Sequence, residues 1–291
     1  MTSNYLLATT TMTAFALNSL FARYALGYQA IDPMSFTLLR LLSGAVTLVL
    51  LYAVFFKQGS AHKKETLTRK HSASLGASLF SYALLFSLAY HQLDTGTGAL
   101  ILFGTVQLAL IAYHRLSGHA INRLEWVGIS VSLVGFVVLL QPSSHQPDIG
   151  AAILMGLSGL SWAIFTLLGK HASVPIVATK QGFMYGATMM VLVYLIVAMV
   201  SIDSFYLSKT GVGFALLSGV GASAIGYYLW YQLLPKIDLL QASLLQLTVP
   251  VIALALGIIF IDEQFSLYSC IATLFILSGI ALVSFSKWRN Q

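Results

Sequence analysis

Ten runs of mostly apolar residues, each close to twenty long, follow one another through this 291-residue chain. That pattern leaves little room for a soluble fold. A helix needs about 20 residues to cross roughly 30 Å of hydrocarbon at 1.5 Å per residue. The runs fall at 4–25, 33–56, 73–92, 95–113, 124–141, 149–169, 181–202, 211–234, 239–261 and 266–286. Charged residues make up only 8% of the chain, against about a quarter in soluble domains. The expected fold class is an all-α membrane protein of ten transmembrane helices. Asp32-Pro33, Gln141-Pro142 and Pro235-Lys236 supply breaks between runs. The short gaps after the third and ninth runs predict tight antiparallel hairpins. The first run is not expected to be a cleaved leader. It lacks a basic start, is too long, and is interrupted by Thr9, Thr10, Thr11, Thr13 and Asn18.

The formal charge of +6 records topology rather than a nucleic-acid surface. With the N-terminus cytoplasmic, the segments on that side hold Lys57, Lys63, Lys64, Arg69, Lys70, Arg115, Arg123, Lys170, Lys180, Lys236, Lys287 and Arg289. The opposite side holds Arg23 and Lys209. The bias of basic residues toward the cytoplasm places both termini there, in a multi-pass protein of the cell (inner) membrane. The segment Lys57 to His71 reads as an anchor near anionic lipid.

Shifting the chain by 144 residues superposes the first five runs on the last five and aligns Asp94 with Asp238, Leu100 with Leu244, Ala109 with Ala253 and Gly135 with Gly279. Five spans is an odd number, so the halves 1–141 and 142–291 are expected to insert in opposite directions. Inverted repeats of this kind give secondary transporters two related conformations around a site near the midplane.

The segments Gly226-Tyr-Tyr-Leu-Trp-Tyr-Gln-Leu-Leu-Pro235, Leu240-Gln-Ala-Ser-Leu-Leu-Gln-Leu-Thr-Val-Pro250, Ile261-Asp-Glu263 and Ser278-Gly279 resemble the EamA-type transporters of the drug/metabolite transporter superfamily. Pro33 followed by Arg40 also matches the family pattern, and the resemblance covers essentially the whole chain. It implies ten spans in two five-span halves and a carrier of small organic solutes such as amino acids, metabolites or drugs. Alternating access is implied as its mechanism, with export as the direction. The first half departs from the pattern: its proline position falls on Val106, beside Gln107, and its glutamate position on His119.

Arg40 is the one charge expected deep in hydrocarbon, about 10 Å along the helix from Pro33. It is costly there unless partnered. Two readings stand: a ligand for an anionic solute group, and a structural arginine that anchors backbone carbonyls where helices cross or snorkels to the outer interface. The eighth run is unusually aromatic, with Tyr227, Tyr228, Trp230 and Tyr231. Tyr227 and Tyr231 share a helical face with Ser223 and Ala224. Such a wall suits a flat or amphipathic solute. Trp162 and Thr166 are related by the 144-residue shift to Asn18 and Ala22, and those positions face each other if the family architecture holds. Tyr82, Gln107, Ser243 and Gln246 complete the candidate lining, with interhelical hydrogen bonding as the alternative role for the polar ones. Pro250 is either a hinge or a static kink. Gly96, Gly98, Gly104 and the Gly182/Gly186 pair read as close-packing positions. Asp94, Asp238, Asp262 and Glu263 read as N-terminal helix caps.

None of the nine acidic residues falls at membrane depth, where ion-coupled carriers usually keep one. Exchange or facilitated movement is therefore expected, with His91 the one candidate relay. No cofactor or metal is expected: the chain has a single cysteine, Cys270, and His114 and His119 lack a carboxylate at ligand spacing. The expected partners are a small solute and the bilayer, without nucleic acid; the oligomeric state stays open, and a monomer fits. The rival classes are an intramembrane serine protease, suggested by Gly156-Leu-Ser-Gly159, and a non-transporting sensor or assembly partner. The protease needs a histidine base for Ser158 on another helix, and the only later histidine is His171, just after the same run.

Overall fold

The computed structural model describes residues 2–56, 67–118, 121–139, 147–170, 172–200, 205–237, 239–246, 248–262 and 267–289. These are almost entirely helical. Helix α1 spans Thr2–Ala22 and continues into a wider π-helical turn, Arg23–Gly27. Helix α2 spans Pro33–Leu51, with a second π-helical turn at Tyr52–Phe56. Then come α3 (Arg69–Tyr90), α4 (Thr95–Leu116), α5 (Arg123–Leu139), α6 (Ile149–Lys170) and α7 (Pro175–Val200). The eighth apolar run is compound: α8 (Lys209–Leu217), a π-helical stretch (Ser218–Ile225) and α9 (Gly226–Leu233). The ninth is α10 (Leu239–Gln246) and α11 (Thr248–Ile261), and the last is α12 (Leu267–Arg289).

Every apolar run therefore carries helix. Six of the helical segments are long and apolar enough by themselves to cross a membrane: 33–55, 69–90, 95–116, 149–170, 175–200 and 209–236. The start of α7 lies six residues before the expected one, so Lys180 is inside the helix. There its ammonium sits over the Tyr52 ring at 3.6 Å. Pro250 is the third residue of α11, and its ring would clash with the carbonyl four residues back, on Gln246.

Local capping chemistry fixes several helix starts. Asp32 accepts from the Ser35 N–H at 2.8 Å, and Pro33, in the first turn, needs no donor of its own. Ser208 and Asp148 cap α8 and α6 in the same manner. Asn122 and Glu125 form a reciprocal capping box: the Asn122 side chain accepts from the Glu125 N–H at 3.0 Å, and the Glu125 carboxylate from the Asn122 N–H at 2.8 Å. Asn122→Ala is expected to lower stability by about 1 kcal/mol, read as a lower thermal midpoint of the purified protein. An unchanged midpoint would remove the cap from the account.

Two expected caps are corrected. Asp94 occupies the N-cap position of α4 but makes no capping bond; its carboxylate pairs with Arg23 at 3.0 Å instead. Asp262 follows the last residue of α11 with φ of 52°, the left-handed geometry of a helix C-terminus, so it ends α11 rather than starting α12. Asp238, Glu263, His119, His171, the Gln141-Pro142 turn and the basic segment through 57–66 lie outside the described residues.

Helix packing follows a recurring pattern. Helix α1 packs on α9 and α11, while α6, its counterpart under the 144-residue shift, packs on α3 and α4. Likewise α2 lies against the π-helical stretch and α7 against α3. Helices α5 and α12 form the most extensive pair, where a Cβ on Gly128 would come within 2.4 Å of the Gly279 carbonyl oxygen. Large aliphatic side chains such as Val46, Leu50, Leu192, Leu195 and Ile196 point outward from α2 and α7. Outward-facing aliphatics of this kind are what a hydrocarbon solvent demands.

Candidate functional site

Arg40 is fully buried at the centre of a polar cluster built from four segments. Its Nε donates to the Ser223 hydroxyl at 2.8 Å. One terminal nitrogen, Nη2, donates to the Tyr227 hydroxyl at 2.5 Å and to that of Tyr82 at 3.1 Å. The two phenols also bond each other at 3.0 Å. Asn18 extends the cluster: its amide reaches the Tyr82 hydroxyl at 3.5 Å, and its oxygen accepts from Ser218 at 2.6 Å. The guanidinium carbon lies 4.9 Å from the Phe86 ring centroid and 5.2 Å from that of Tyr82, within cation–π range. The other terminal nitrogen, Nη1, is buried without a hydrogen-bond partner. Among the described residues no carboxylate lies within ion-pair distance of this cation; the one ion pair is Arg23–Asp94.

Close helix approach makes this geometry possible. A Cβ on Gly219 would stand 2.5 Å from the Arg40 carbonyl oxygen and 3.0 Å from its Cα. Glycine there lets the π-helical stretch press on α2, so that Ser223, one turn further on, reaches Nε. The anchor in the structure is thus three hydroxyls and two ring faces, not the backbone carbonyls expected for a structural arginine.

Beside this cluster is a small cavity of about 10 Å³, room for roughly one water molecule, lined by Phe15, Asn18, Ser19, Tyr82, Phe86, Leu102, Phe103, Trp162 and Tyr227. That is below the roughly 300–1,000 Å³ usual for ligand pockets. Trp162 and Asn18 therefore face a common space, with α3, α4 and α9 completing the wall. Trp162 donates to the Gln246 side-chain oxygen at 2.8 Å, tying α6 to α10. Phe15 packs its ring against Trp162, Tyr227 and Trp230 at 5.3–5.8 Å.

Other candidate residues sit around this centre rather than in it. Tyr231 is buried, stacked on Phe165 at 5.0 Å, and donates to the Phe165 carbonyl at 2.7 Å. Trp230, Gln107 and Thr166 are buried, each with one side-chain polar atom lacking a hydrogen-bond partner. Ser243 is buried on α10. Tyr228 is only half-buried and bonds Gln232 along its own helix, so it stands apart from the cavity wall. His91 ends α3, its ring 3.3 Å from the Leu26 carbonyl oxygen, and is not among the cavity residues. Ser158 donates to the Tyr82 carbonyl at 2.9 Å, which engages the hydroxyl that a protease would need free.

Sequence reasoning missed Phe15, Ser19, Phe86, Leu102, Phe103 and Ser218. Their helical spacing reads as ordinary core, and nothing in one helix reveals the ring it faces on another.

Contacts between residues of the first and second halves of the sequence occur at both ends of the bundle. At one end Tyr24 stacks on Phe214 with centroids 4.9 Å apart and its hydroxyl donates to the Phe260 carbonyl. At the same end the Asp32 N–H donates to the Tyr206 carbonyl at 3.1 Å, and the Asp32 carboxylate accepts from the Tyr206 N–H, also at 3.1 Å. Burial, and then the Asp32 charge, raise the Tyr206 phenol above its ordinary pKa, so it stays neutral. At the other end Ser72 donates to Gln181, and Lys180 caps the Tyr52 ring.

Comparison with known proteins places this architecture. The model of the EamA-like transporter family matches residues 2–141 and 149–285. An uncharacterized protein of Pseudomonas aeruginosa is 39% identical over 279 residues, covering 96% of this chain and 93% of its own. A probable amino-acid metabolite efflux pump of Escherichia coli is 22% identical over 84% of both chains. A solved crystal structure, 17% identical, shares the fold over 98% of each chain with a TM-score of 0.69. With family matches spanning nearly all of its length, this multi-pass membrane chain belongs to the EamA-like transporter family.

Proposed function

We propose that this transporter moves a small organic solute by alternating access through a site at the Arg40–Tyr82–Tyr227 cluster and the adjoining cavity. The observation that carries this is the fully buried arginine beside a cavity, with contacts between the two halves of the sequence on either side of it. The proposed frame is ten spans arranged as inverted repeats, 1–141 and 142–291, with the two termini cytoplasmic. The paired pattern of helix contacts, the family match to each half and the bias of basic residues support it. Export is the proposed direction, in keeping with the efflux pump named above.

In this mechanism, Tyr24, Phe214, Phe260, Asp32 and Tyr206 form one closure, and Ser72, Gln181, Lys180 and Tyr52 belong to the other. Opening either side separates one set while the other holds. Arg40 offers the polar contact, Asn18 and the Trp162–Gln246 pair hold the lining in place around it, and Phe15, Phe86 and the tyrosines give an aromatic wall. Trp230, Tyr231, Gln107, Thr166 and Ser243 support or extend that wall, Tyr228 stands outside it, and Pro250 is the proposed hinge. No described carboxylate lies in the cluster, so the reading is exchange or facilitated movement, with His91 as the one relay to test.

The test is counterflow. Protein reconstituted into liposomes preloaded with a candidate solute should accumulate the labelled solute transiently, and empty liposomes should not. Absence of counterflow across amino acids, metabolites, vitamins and cationic drugs would defeat the carrier reading. Accumulation driven by a pH gradient and abolished in His91→Ala would replace exchange by proton coupling.

A further inference from the structure

We propose that the solute carries a single carboxylate on a flat apolar body and no ammonium group, so that loading the site neutralises Arg40. This rests on the carrier reading above and assigns its substrate class.

The argument begins with charge. Arg40 places one positive charge in a fully buried site with no described carboxylate in ion-pair reach. The surrounding hydroxyls satisfy its hydrogen bonds in part and leave its charge uncancelled. Nη1 remains a buried donor with no acceptor. A carboxylate oxygen can accept from Nη1, and displacing the Tyr82 or Tyr227 hydroxyl from Nη2 completes the two-pronged guanidinium–carboxylate arrangement that a single hydroxyl cannot match.

The remaining polar groups argue against an ammonium. The Asn18 oxygen is taken by Ser218, and the Gln246 oxygen by Trp162. Among the described residues no anionic group stands near the cavity to receive a second cation. A zwitterion would cancel the arginine charge and then add its own ammonium unpaired at low dielectric. A carboxylate without an ammonium leaves the loaded site neutral, the condition under which its passage through the membrane interior costs least.

The wall selects the rest of the solute. Phe15, Phe86, Phe103 and Trp162 line the closed cavity, so a site that widens there on opening presents aromatic surface suited to a compact flat body. One aromatic ring system with a short acidic side chain fits these limits.

The experiment is a matched-pair comparison on the full-length protein. Three acids (3-phenylpropionate, indole-3-acetate and benzoate) are each measured against the corresponding neutral amide, with phenylalanine and phenylalaninamide as zwitterionic and cationic probes. Binding is read by thermal stabilisation in detergent, and movement by counterflow in liposomes. At least one acid is expected to bind at least tenfold more tightly than its amide and than either amine. In Arg40→Gln that preference should fall to about one, and Arg40→Lys should restore part of it. If Arg40→Gln fails to fold, the wild-type acid-to-amide ratio still decides the matter. Equal binding of acids and amides, tighter binding of phenylalanine or phenylalaninamide, or no response to any acid overturns the proposal. Counterflow of a cation or zwitterion would sink the substrate class and leave the carrier standing. Absence of counterflow for every solute sinks both.

Discussion

Arg40→Met is expected to abolish counterflow while leaving the protein folded with its thermal midpoint little changed. A charge at membrane depth costs at least about 2.5–3.5 kcal/mol, and each hydrogen bond from a charged group returns about 1.5–3 kcal/mol. Arg40 makes three such bonds, a return of about 4.5–9 kcal/mol that falls inside the span of about 2.5–17 kcal/mol covered by estimates of the cost. Methionine removes both together. The phenols of Tyr82 and Tyr227 keep their mutual bond, and Ser223 can donate to a carbonyl one turn back, as serines in helices do. Replacing a buried charge by an apolar side chain of similar length is often neutral or stabilising for this reason. Function has no such compensation, because nothing else described in the cluster is cationic. Counterflow of any solute moved by the wild type should fall to the level of protein-free liposomes. Wild-type rates in the variant, or a variant that does not fold, would assign Arg40 to architecture alone.

The sequence carried much of this site, for physical reasons that can be named. One charge inside an apolar run has few places to hide, so Arg40 was visible. Helical periodicity put Ser223 and Tyr227 on one face, and both reach Arg40. The 144-residue shift paired Asn18 with Trp162, and both line the cavity. Periodicity orders residues within a helix but is silent on which helix lies opposite. The two ring faces that α3 gives to the guanidinium, Tyr82 and Phe86, depend on such an approach. Tyr228 shows the converse: adjacent to Tyr227 in sequence, it turns away and bonds Gln232.

Helix positions were legible to within a few residues because the bilayer fixes a length and the apolar runs reveal it. Ends decided by polar chemistry were less so. Asp94 has a capping residue's position but pairs with Arg23, which approaches from the π-helical turn after α1. No local signal distinguishes the two roles. The Asn122-x-x-Glu125 capping box has the spacing of such a motif, yet it was not singled out in the sequence. The π-helical stretch at Ser218–Ile225 escaped altogether. Its small residues resemble ordinary helix-packing sequence, and the widening becomes apparent only with α2 pressed against it.

That stretch yields a paired test in which adjacent glycines should respond with opposite sign. Gly219→Val is expected to lower stability by about 3 kcal/mol, and Gly219→Ala by somewhat less. The Cβ of either would fall 2.0 Å from the Ser43 hydroxyl, which can rotate away, and 2.5 and 3.0 Å from the Arg40 carbonyl oxygen and Cα, which cannot. Relief requires α2 and the π-helical stretch to separate, drawing Arg40 Nε away from Ser223. Gly221, two residues on, is exposed, and a Cβ there would meet nothing within 4 Å. Gly221→Ala should therefore gain the backbone-entropy difference of about 0.5–1 kcal/mol that favours alanine over glycine in a helix. Propensity alone predicts stabilisation at both positions, whereas close approach predicts opposite signs. Thermal midpoints of the two alanine variants decide between them, and a Gly219→Ala protein as stable as Gly221→Ala would show that α2 does not rest on this backbone. Counterflow adds the functional half of the test. A Gly219→Ala protein that folds should transport poorly, because displacing α2 carries Arg40 out of register with Tyr82 and Tyr227, and Gly221→Ala should transport as the wild type does.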